Sequence, residues 1–280
     1  MRYVLYNPLS TNHLTEAALL GELKKFGPVD NVKLVDVTKI ESGEEFMKGL
    51  KPEDDLVISG GDGTLNRLAN KLDLPHAKNR IYLHKAGNGN DFLRDVNELK
   101  EDFVEITDLL KNLPTVTING ETSYFINGIG FGVDGMVCVE GDKLKANGKK
   151  VNYTSLSIKL LLFKYKKVNA KVTVDGKEYH FKKVFIGSAM NGKYYGGGMK
   201  EAPDQDRKGD TLDVVIWHSF SRLGALMTFS KIFTGEHVKK TKKITVLRGK
   251  EITMEYDKPT DVQIDGESIH GITVYSASKK

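Results

Sequence analysis

Residues 55–66 carry the clearest chemical signal of the chain, three glycines and an aspartate directly after an apolar segment. Gly60, Gly61 and Gly63 let the backbone approach a ligand closely because no Cβ stands in the way. A helix that begins near Gly63 directs its free N–H groups and the positive end of its dipole to the same point. Asp62 adds a carboxylate there, which favours a magnesium ion between it and a phosphate. The spacing therefore predicts a phosphate site; a tight turn with Asp62 as a capping residue is the alternative.

Two further stretches carry polar side chains in patterns that could do chemistry. In residues 84–92, Asn90 and Asp91 precede an apolar helical pattern, so capping of that helix is their alternative role. Asp265 and Glu267 flank a glycine in a tight turn between two strands, where a simple hairpin is the alternative. A carboxylate in such a turn is an adequate general base when partial burial disfavours its charged form.

The elements that must position these residues alternate in type over the first 115 or so residues. Apolar segments typical of buried strands cover residues 3–7, 32–37, 56–59 and 81–84, and helical patterns cover residues 14–26, 44–50 and 65–72. Such alternation predicts a parallel sheet with helices on both faces. Ligands bind at the carboxyl ends of strands in these sheets, and Asn7, Thr38, Gly60 and Lys85 stand at such ends.

From about Thr115 the pattern changes to short alternating segments separated by turns, which predicts a mostly antiparallel sandwich or barrel. The segments cover residues 115–118, 124–127, 171–174, 184–189, 212–217, 244–248, 251–256 and 273–276. The predicted division is an α/β domain over residues 1–118 and a β-rich domain over residues 119–280, with the extreme C-terminus packed back on the first domain. Residues 153–167, rich in Leu and Lys, form either a helix packed on the second domain or an interfacial helix.

The composition, 39% hydrophobic and 28% charged, is that of an ordinary globular protein. Cys138 is the only cysteine, which excludes an internal disulfide, and the seven histidines lack the spacing of a zinc site. The sequence shows no signal peptide and no apolar stretch near the roughly 20 residues that cross a bilayer, so a soluble cytoplasmic protein is expected. The net charge of +5 indicates either a solvated surface or attraction to an anionic membrane. Nucleic acid is not an expected partner, because aromatic residues do not interleave with the lysines.

The motifs together resemble the diacylglycerol kinase catalytic domain family, which also includes sphingosine and ceramide kinases. The glycine segment matches the first signature of this family, and residues 84–92 match the second, with Lys85 in place of a proline and Asn88 in place of a threonine. Further matches follow in the expected order at residues 7–11, where Thr11 replaces a glycine, at residues 191–203 and at residues 262–267. The resemblance therefore extends over nearly the whole chain.

This resemblance implies a first domain like that of NAD kinase and phosphofructokinase, bound ATP and Mg²⁺, and transfer of the γ-phosphoryl group to a lipid hydroxyl, with diacylglycerol expected first. The residues implied in nucleotide binding are Asn7, Pro8, Ser10, Thr38, Gly60, Gly61, Asp62, Gly63, Thr64, Asn66, Asn88 and Asp91. It further implies Glu267 as the general base, Asp265 as the residue that positions it, and Asp62 as a magnesium ligand. A structural magnesium would lie at Asp210 and Leu212, in a turn that departs from the family's Asp-Asp-Gly.

Two alternatives to a lipid kinase stay open at this point. NAD kinases share the Gly-Gly-Asp-Gly core, although they predict neither the second signature nor the final turn. A nucleotide- or lipid-binding protein of the same fold, with little catalysis, is favoured by the substitutions above, whereas retention of Glu267 argues against it. The expected partner is a lipid at an anionic membrane surface, and an exposed edge strand in the second domain would allow a homodimer. The sequence leaves the identity of the lipid open.

Overall fold

The computed structural model describes residues 1–10 and 15–280, which form two compact units, residues 1–113 and 114–280. Thr11, at the end of the first matched turn, and the predicted beginning of a helix at Leu14 lie outside the described residues.

The first unit contains a five-stranded sheet in the order β2-β1-β3-β4-β5. Its strands are β1 (Arg2–Tyr6), β2 (Val32–Asp36), β3 (Asp55–Gly60), β4 (Arg80–Lys85) and β5 (Phe103–Glu105). The pairs among β1 to β4 are parallel, as the alternation predicts, and their apolar side chains form a core with Val4 and Val57 at 0% exposure. The three-residue β5 runs antiparallel to β4 and is too short to leave a periodic signal in the sequence.

In the described residues of this unit, five α-helices accompany the sheet: α1 (Glu16–Leu23), α2 (Gly43–Lys48), α3 (Asp62–Lys71), α4 (Asp91–Asn97) and α5 (Thr107–Lys111). Side chains cap the N-termini of α1 and α2. The Thr15 hydroxyl accepts a hydrogen bond from the Ala18 N–H, and the Ser42 hydroxyl accepts one from the Glu45 N–H. Helix α3 begins three residues earlier than its apolar pattern indicates, directly at Asp62. The turn between β3 and α3 therefore consists of Gly61 alone.

The second unit is an antiparallel β-sandwich of nine strands, with the main path β12-β11-β10-β8-β13-β14-β6-β7 and β9 paired to β10 and β13. The strands are β6 (Thr115–Ile118), β7 (Glu121–Tyr124), β8 (Gly128–Gly132), β9 (Val168–Val174), β10 (Lys177–Met190), β11 (Leu212–His218), β12 (Ile244–Gly249), β13 (Glu251–Ile264) and β14 (Glu267–Ser278). The prediction of a strand over residues 124–127 is wrong. The observed strand, β7, ends at Tyr124, the residue at which the predicted strand was expected to begin. The next strand is β8, which the sequence pattern does not indicate because three of its five residues are glycines.

Three α-helices and a π-helix cover part of this sandwich: α6 (Val133–Ala146), α7 (Tyr153–Lys159), the π-helix (Leu160–Lys164) and α8 (Arg222–Phe229). A core of Leu160, Phe185 and Trp217 lies between them and the sheet. The sequence patterns miss α6 because Gly135 and Gly141 interrupt its apolar face. Both glycines serve packing, since a Cβ on Gly135 would strike the Asp261 backbone and one on Gly141 would strike a tyrosine ring.

Candidate active site

Most of the predicted nucleotide-binding residues line one cleft of about 350 Å³ at the carboxyl ends of β3 and β4. The lining residues are Asn7, Leu9, Ser10, Gly60, Gly61, Asp62, Gly63, Thr64, Arg67, Ala86, Gly87, Asn88 and Gly89. Asn7 shapes its own turn, because its side-chain oxygen accepts a hydrogen bond from the Leu9 N–H at 2.9 Å. The position of the cleft agrees with the rule that parallel sheets bind ligands at the carboxyl ends of their strands.

The cleft exists because two glycine loops touch backbone to backbone. An ideal Cβ on Gly61 would lie 2.8 Å from the Cα of Gly87, and a Cβ on Gly87 would lie even closer to Gly61. The Asn90 side chain holds Gly87 in place, since its oxygen accepts from the Gly87 N–H at 3.2 Å and its nitrogen donates to the Gly87 carbonyl at 2.7 Å. These contacts explain the glycine at each position without reference to a ligand.

Asp62 joins these two loops. Its Oδ2 accepts a hydrogen bond from the Asp91 N–H at 2.9 Å, and its Oδ1 accepts one from the Phe92 N–H at 2.8 Å. These are the first two N–H groups of α4, whose own N-cap, Asn90, makes no side-chain capping bond. Asp62 therefore caps a helix, as the alternative from the sequence states, but the helix is α4 and not the one that contains Asp62.

The N-terminus of α3 makes the cleft suitable for anions. The helix has ten residues, and its N-cap, Gly61, places no side chain over the first N–H groups. Arg67 follows Thr64 by three residues, so both lie on the face of α3 that lines the cleft. The sequence reasoning missed Arg67, although an arginine about one turn beyond a glycine loop is a recognisable signal for phosphate binding.

Four of the predicted nucleotide-binding residues do not line this cleft. Asn66 and Asp91 have buried side chains, and the Asp91 carboxylate lies 3.7 Å from the Arg94 guanidinium. Thr38 lines a smaller neighbouring cleft of about 170 Å³ together with Asn7 and Arg67, and its hydroxyl donates to Asp36 at 2.7 Å. The fourth residue is Pro8, between two residues that do line the main cleft.

In the second unit, Asp265 and Gly266 form the turn between β13 and β14, with φ values of 47° and 91°. Such left-handed geometry at both positions is typical of a two-residue hairpin loop. The Asp265 carboxylate accepts hydrogen bonds from three consecutive N–H groups, those of Ile126, Asn127 and Gly128, at 2.5 to 3.1 Å. Glu267 follows as the first residue of β14, and its side chain is exposed. The turn is thus anchored by Asp265, and Glu267 projects from an anchored backbone.

A buried polar network holds the other side of the same segment. Arg207 donates to the Ile126 carbonyl at 2.5 Å and to the Asn127 side chain at 2.7 Å. The ammonium group of Lys279, a residue only 2% exposed, donates to the Asn191 side chain and to the Arg207 carbonyl, both at 2.7 Å. Sequence patterns gave no sign of this network, because it joins residues up to 88 positions apart.

The turn also connects to a partly buried carboxyl group, that of Asp134. Gln263 accepts a hydrogen bond from the Gly266 N–H at 2.7 Å and donates one to Asp134 at 2.9 Å. Burial raises the pKa of Asp134 to about 7; the Gln263 hydrogen bond opposes this, and the negative charge of Glu201 adds to it. Asp134 therefore titrates near neutral pH beside the turn that carries Glu267.

The structural magnesium at Asp210 and Leu212 stays a prediction, and both side chains have other contacts in this structure. The carboxylate of Asp210 forms an ion pair with the Lys250 ammonium, and Leu212 is fully buried in the apolar core. Lysine ammonium groups, those of Lys250 and Lys279, supply positive charge on this loop. Within residues 1–10 and 15–280, no group of three or more His, Cys, Asp or Glu side chains could hold a metal ion by itself.

Among the described helices, none is long and apolar enough to cross a bilayer.

Residues 2–119 match the family model of the diacylglycerol kinase catalytic domain, and residues 127–277 match that of the YegS C-terminal NAD kinase beta sandwich-like domain. A diacylglycerol kinase of Mycobacterium tuberculosis is 24% identical over 265 residues, which cover 90% of this chain and 84% of the relative. A diacylglycerol kinase of Bacillus subtilis is 23% identical over 274 residues, covering 94% and 88% of the two chains.

The solved structure of a diacylglycerol kinase from Bacillus anthracis str. Sterne is similar over 99% of this chain and 93% of its own, with a TM-score of 0.63 and 18% sequence identity. Likeness at this identity shows the fold alone. The family models and the shared fold confirm the resemblance inferred from the motifs, and they confirm the predicted α/β domain followed by a β-sandwich.

Proposed function

We propose, from the premise that this chain belongs to the diacylglycerol kinase family, that it is an ATP-dependent lipid kinase. It transfers the γ-phosphoryl group to a lipid hydroxyl, with diacylglycerol as the first acceptor to test. We also propose that it acts from the cytoplasm on lipid at an anionic membrane surface, in phospholipid metabolism. Pairing through an edge strand of the second unit stays a prediction.

One observation supports the kinase assignment above the others: the cleft where two glycine loops meet the bare N-terminus of α3. Backbone N–H groups and the helix dipole bind phosphate oxygens there. Gly60, Gly61 and Gly63 would leave room for the triphosphate, Thr64 and Arg67 would contact its oxygens, and Asn7, Ser10 and Asn88 would line its outer edge. Asn66 and Asp91 would act indirectly, through the packing of α3 and α4.

Magnesium fits this cleft only together with the nucleotide. The Asp62 carboxylate lines the cleft and is fixed there by its bonds to the Asp91 and Phe92 N–H groups, so it would hold the ion together with phosphate oxygens and water. When bound, the ion would neutralise phosphate charge. Asp62 would thus have two roles, holding the ion and fixing α4 against the glycine loop.

Glu267 would accept the proton of the lipid hydroxyl while that oxygen bonds to the γ-phosphorus and ADP leaves with the bridging oxygen. In this structure the Glu267 side chain is exposed, so an incoming acceptor can reach it. Asp265 does not reach the acceptor in this scheme; it fixes the turn through its three backbone hydrogen bonds.

The test is transfer of labelled γ-phosphate from ATP to diacylglycerol in mixed micelles that contain anionic lipid. Wild type is compared with Asp62→Ala and Glu267→Ala, and with Glu121→Ala as an exposed glutamate control in the second unit. We expect transfer by wild type and the control, and loss of at least about 100-fold in the two site variants.

Two outcomes would contradict the assignment. Intact ATP binding without transfer to diacylglycerol or to a panel of other lipids would favour a binding protein. Transfer to NAD in place of lipid would favour an NAD kinase.

A further inference from the structure

Four large apolar side chains of the second unit project into solvent. Phe163 is 77% exposed, Leu223 63%, Met227 66% and Phe233 44%. Single exposed apolar residues are common, but four on adjoining elements form a patch of the kind that marks an interaction site. We call these four residues the apolar patch.

The fold holds the patch together rather than leaving its members on a loose loop. Leu223 and Met227 are four residues apart and so lie on the same face of α8. The Arg222 guanidinium fastens the beginning of α8 to the π-helix that carries Phe163, because it donates to the carbonyls of Leu161, Leu162 and Tyr165 at 2.8 to 2.9 Å. Phe233 packs edge-on against Phe229, 6.4 Å between ring centres, at the other end of α8.

The π-helix places some of its apolar side chains against the sheet and another toward solvent. Leu160 and Leu161 are buried against the sheet, whereas Phe163 points outward. The segment 153–167 therefore packs on the second unit, as one interpretation of its sequence states, while the interfacial interpretation stays a prediction that the exposed Phe163 motivates.

The segments that carry the patch contribute only basic charge, and a carboxylate beside them, that of Glu140 in α6, lies 3.6 Å from the Lys164 ammonium. Neither residues 153–167 nor residues 214–235 contain an Asp or Glu, and the exposed lysines of these segments are Lys159, Lys164, Lys166 and Lys231. Apolar side chains surrounded by lysines match a bilayer that contains anionic lipid, because the apolar groups enter the acyl boundary while the lysines face phosphate. A second copy of this chain fits less well, since two such patches face to face would bring lysines against lysines.

We propose that the apolar patch and its lysines are the surface by which this protein docks on an anionic lipid bilayer. The inference rests on the proposed function, because an acceptor lipid resides in a membrane. It adds the part of the molecule that makes contact: α8, which no sequence pattern pointed to, together with the end of the π-helix.

Co-sedimentation of the full chain with vesicles tests the proposal without requiring catalysis. The vesicles are phosphatidylcholine alone, or phosphatidylcholine with phosphatidylglycerol. We expect wild type to bind the anionic vesicles, and binding of the double variant Leu223→Glu/Met227→Glu to fall by about tenfold or more. Val246→Glu/Val274→Glu, which changes two exposed valines of β12 and β14, is the matched control and should bind like wild type.

The lysines are tested separately. We expect Lys159→Ala/Lys166→Ala/Lys231→Ala to lose affinity for anionic vesicles and to weaken the dependence of binding on salt. The control Lys24→Ala/Lys78→Ala/Lys258→Ala has the same net charge and replaces exposed lysines outside the patch. Equal losses in the two triple variants would mean that net charge alone drives binding, and would overturn the proposal.

Two further readouts separate the alternatives. Sedimentation velocity detects a dimer; a wild-type dimer that Leu223→Glu/Met227→Glu dissociates would assign the patch to a second copy instead. Transfer to a short-chain, water-soluble diacylglycerol reports on the kinase chemistry alone. If the patch variants keep this activity but lose vesicle binding, the docking surface is supported; if wild type binds vesicles but lacks this activity, the proposed function fails while the surface stands.

Discussion

At the scale of single residues, Asp62 combines a structural role that the hydrogen bonds show with a proposed role in magnesium binding. Its two oxygens bind the first N–H groups of α4, so the carboxylate is oriented before any ligand arrives. A preorganised carboxylate loses little freedom when a magnesium nucleotide binds. The same contacts mean that a substitution here disturbs structure and activity together, and an experiment has to separate the two.

Asp62→Asn is expected to destabilise the first unit by about 1–2 kcal/mol, because its amide nitrogen would face a backbone N–H that now bonds to oxygen. Thermal unfolding should shift down by about 5 °C. Asp30→Asn, at an exposed position of the same unit, is the control. An unchanged melting temperature for Asp62→Asn would show that these two hydrogen bonds do not stabilise the unit.

Asp134 makes stability depend on pH in a defined direction. Because its pKa is about 7 in the folded protein and 3.8 is its ordinary value, the folded state holds more protons between these two pH values. The contribution of the Asp134 carboxyl group to the free energy of unfolding is therefore complete below about pH 4. It is lost as the pH rises to about 7. We expect Asp134→Asn to flatten the dependence of the melting temperature on pH over that window, whereas Asp142→Asn, at an exposed position, should retain the wild-type slope.

At the scale of elements, the cleft depends on how closely two loops approach. Gly61 and Gly87 touch through their backbones, and the Ala86 N–H donates to the Gly60 carbonyl at 3.2 Å. Neither loop alone forms the cleft. Any side chain at the contact must push the loops apart, since both neighbours are backbone atoms that cannot rotate away.

Gly87→Ala is expected to lower ATP affinity by about tenfold or more and to destabilise the first unit by roughly 1–3 kcal/mol, because of overpacking at the loop contact. Isothermal titration calorimetry and thermal unfolding measure the two effects. Gly21→Ala is the control: its Cβ would meet nothing within 4 Å, and alanine in a helix should stabilise slightly. Equal ATP affinity in Gly87→Ala and wild type would contradict the two-loop description.

We expect the loop at residues 203–211 to be held without a metal, because the Lys279 ammonium donates to the Arg207 carbonyl within it. We expect Lys279→Met to destabilise the second unit by about 1–3 kcal/mol, since the Asn191 and Arg207 oxygens would lose a buried donor. Treatment of wild type with EDTA should leave its melting temperature unchanged. The control Lys280→Met alters the exposed neighbouring lysine. A melting temperature that falls on chelation would contradict the assignment.

At the scale of the whole molecule, the proposed groups divide between the two units. The phosphate cleft belongs to residues 1–113, and the turn with Glu267 belongs to residues 114–280. Binding of nucleotide and activation of the acceptor should therefore respond to different substitutions.

Glu267→Gln is expected to leave ATP affinity unchanged, because the side chain does not line the nucleotide cleft. Phosphoryl transfer should fall by about 10²–10⁴-fold, the usual effect of losing a general base. Glu121→Gln is the matched control. Weaker ATP binding in Glu267→Gln would mean that the residue contacts the nucleotide, and retained transfer would mean that another group accepts the proton.

The sequence by itself determined the parallel sheet of the first unit, the glycine loop, the second polar stretch and the turn at Asp265. These features are local: strand and helix periods reflect which face is buried, and glycine positions reflect turns within a few residues. The order of the motifs was enough to indicate the family.

Only the tertiary structure decided what these residues contact. Asp62 meets the N–H groups of α4 some 29 and 30 positions away, and the Lys279 ammonium lies on the loop where a metal was predicted. The glycine-rich β8 and the interrupted α6 gave no periodic signal, because their small residues serve close packing with distant segments. Contacts of this kind depend on how elements pack, and no local pattern of residue types encodes them.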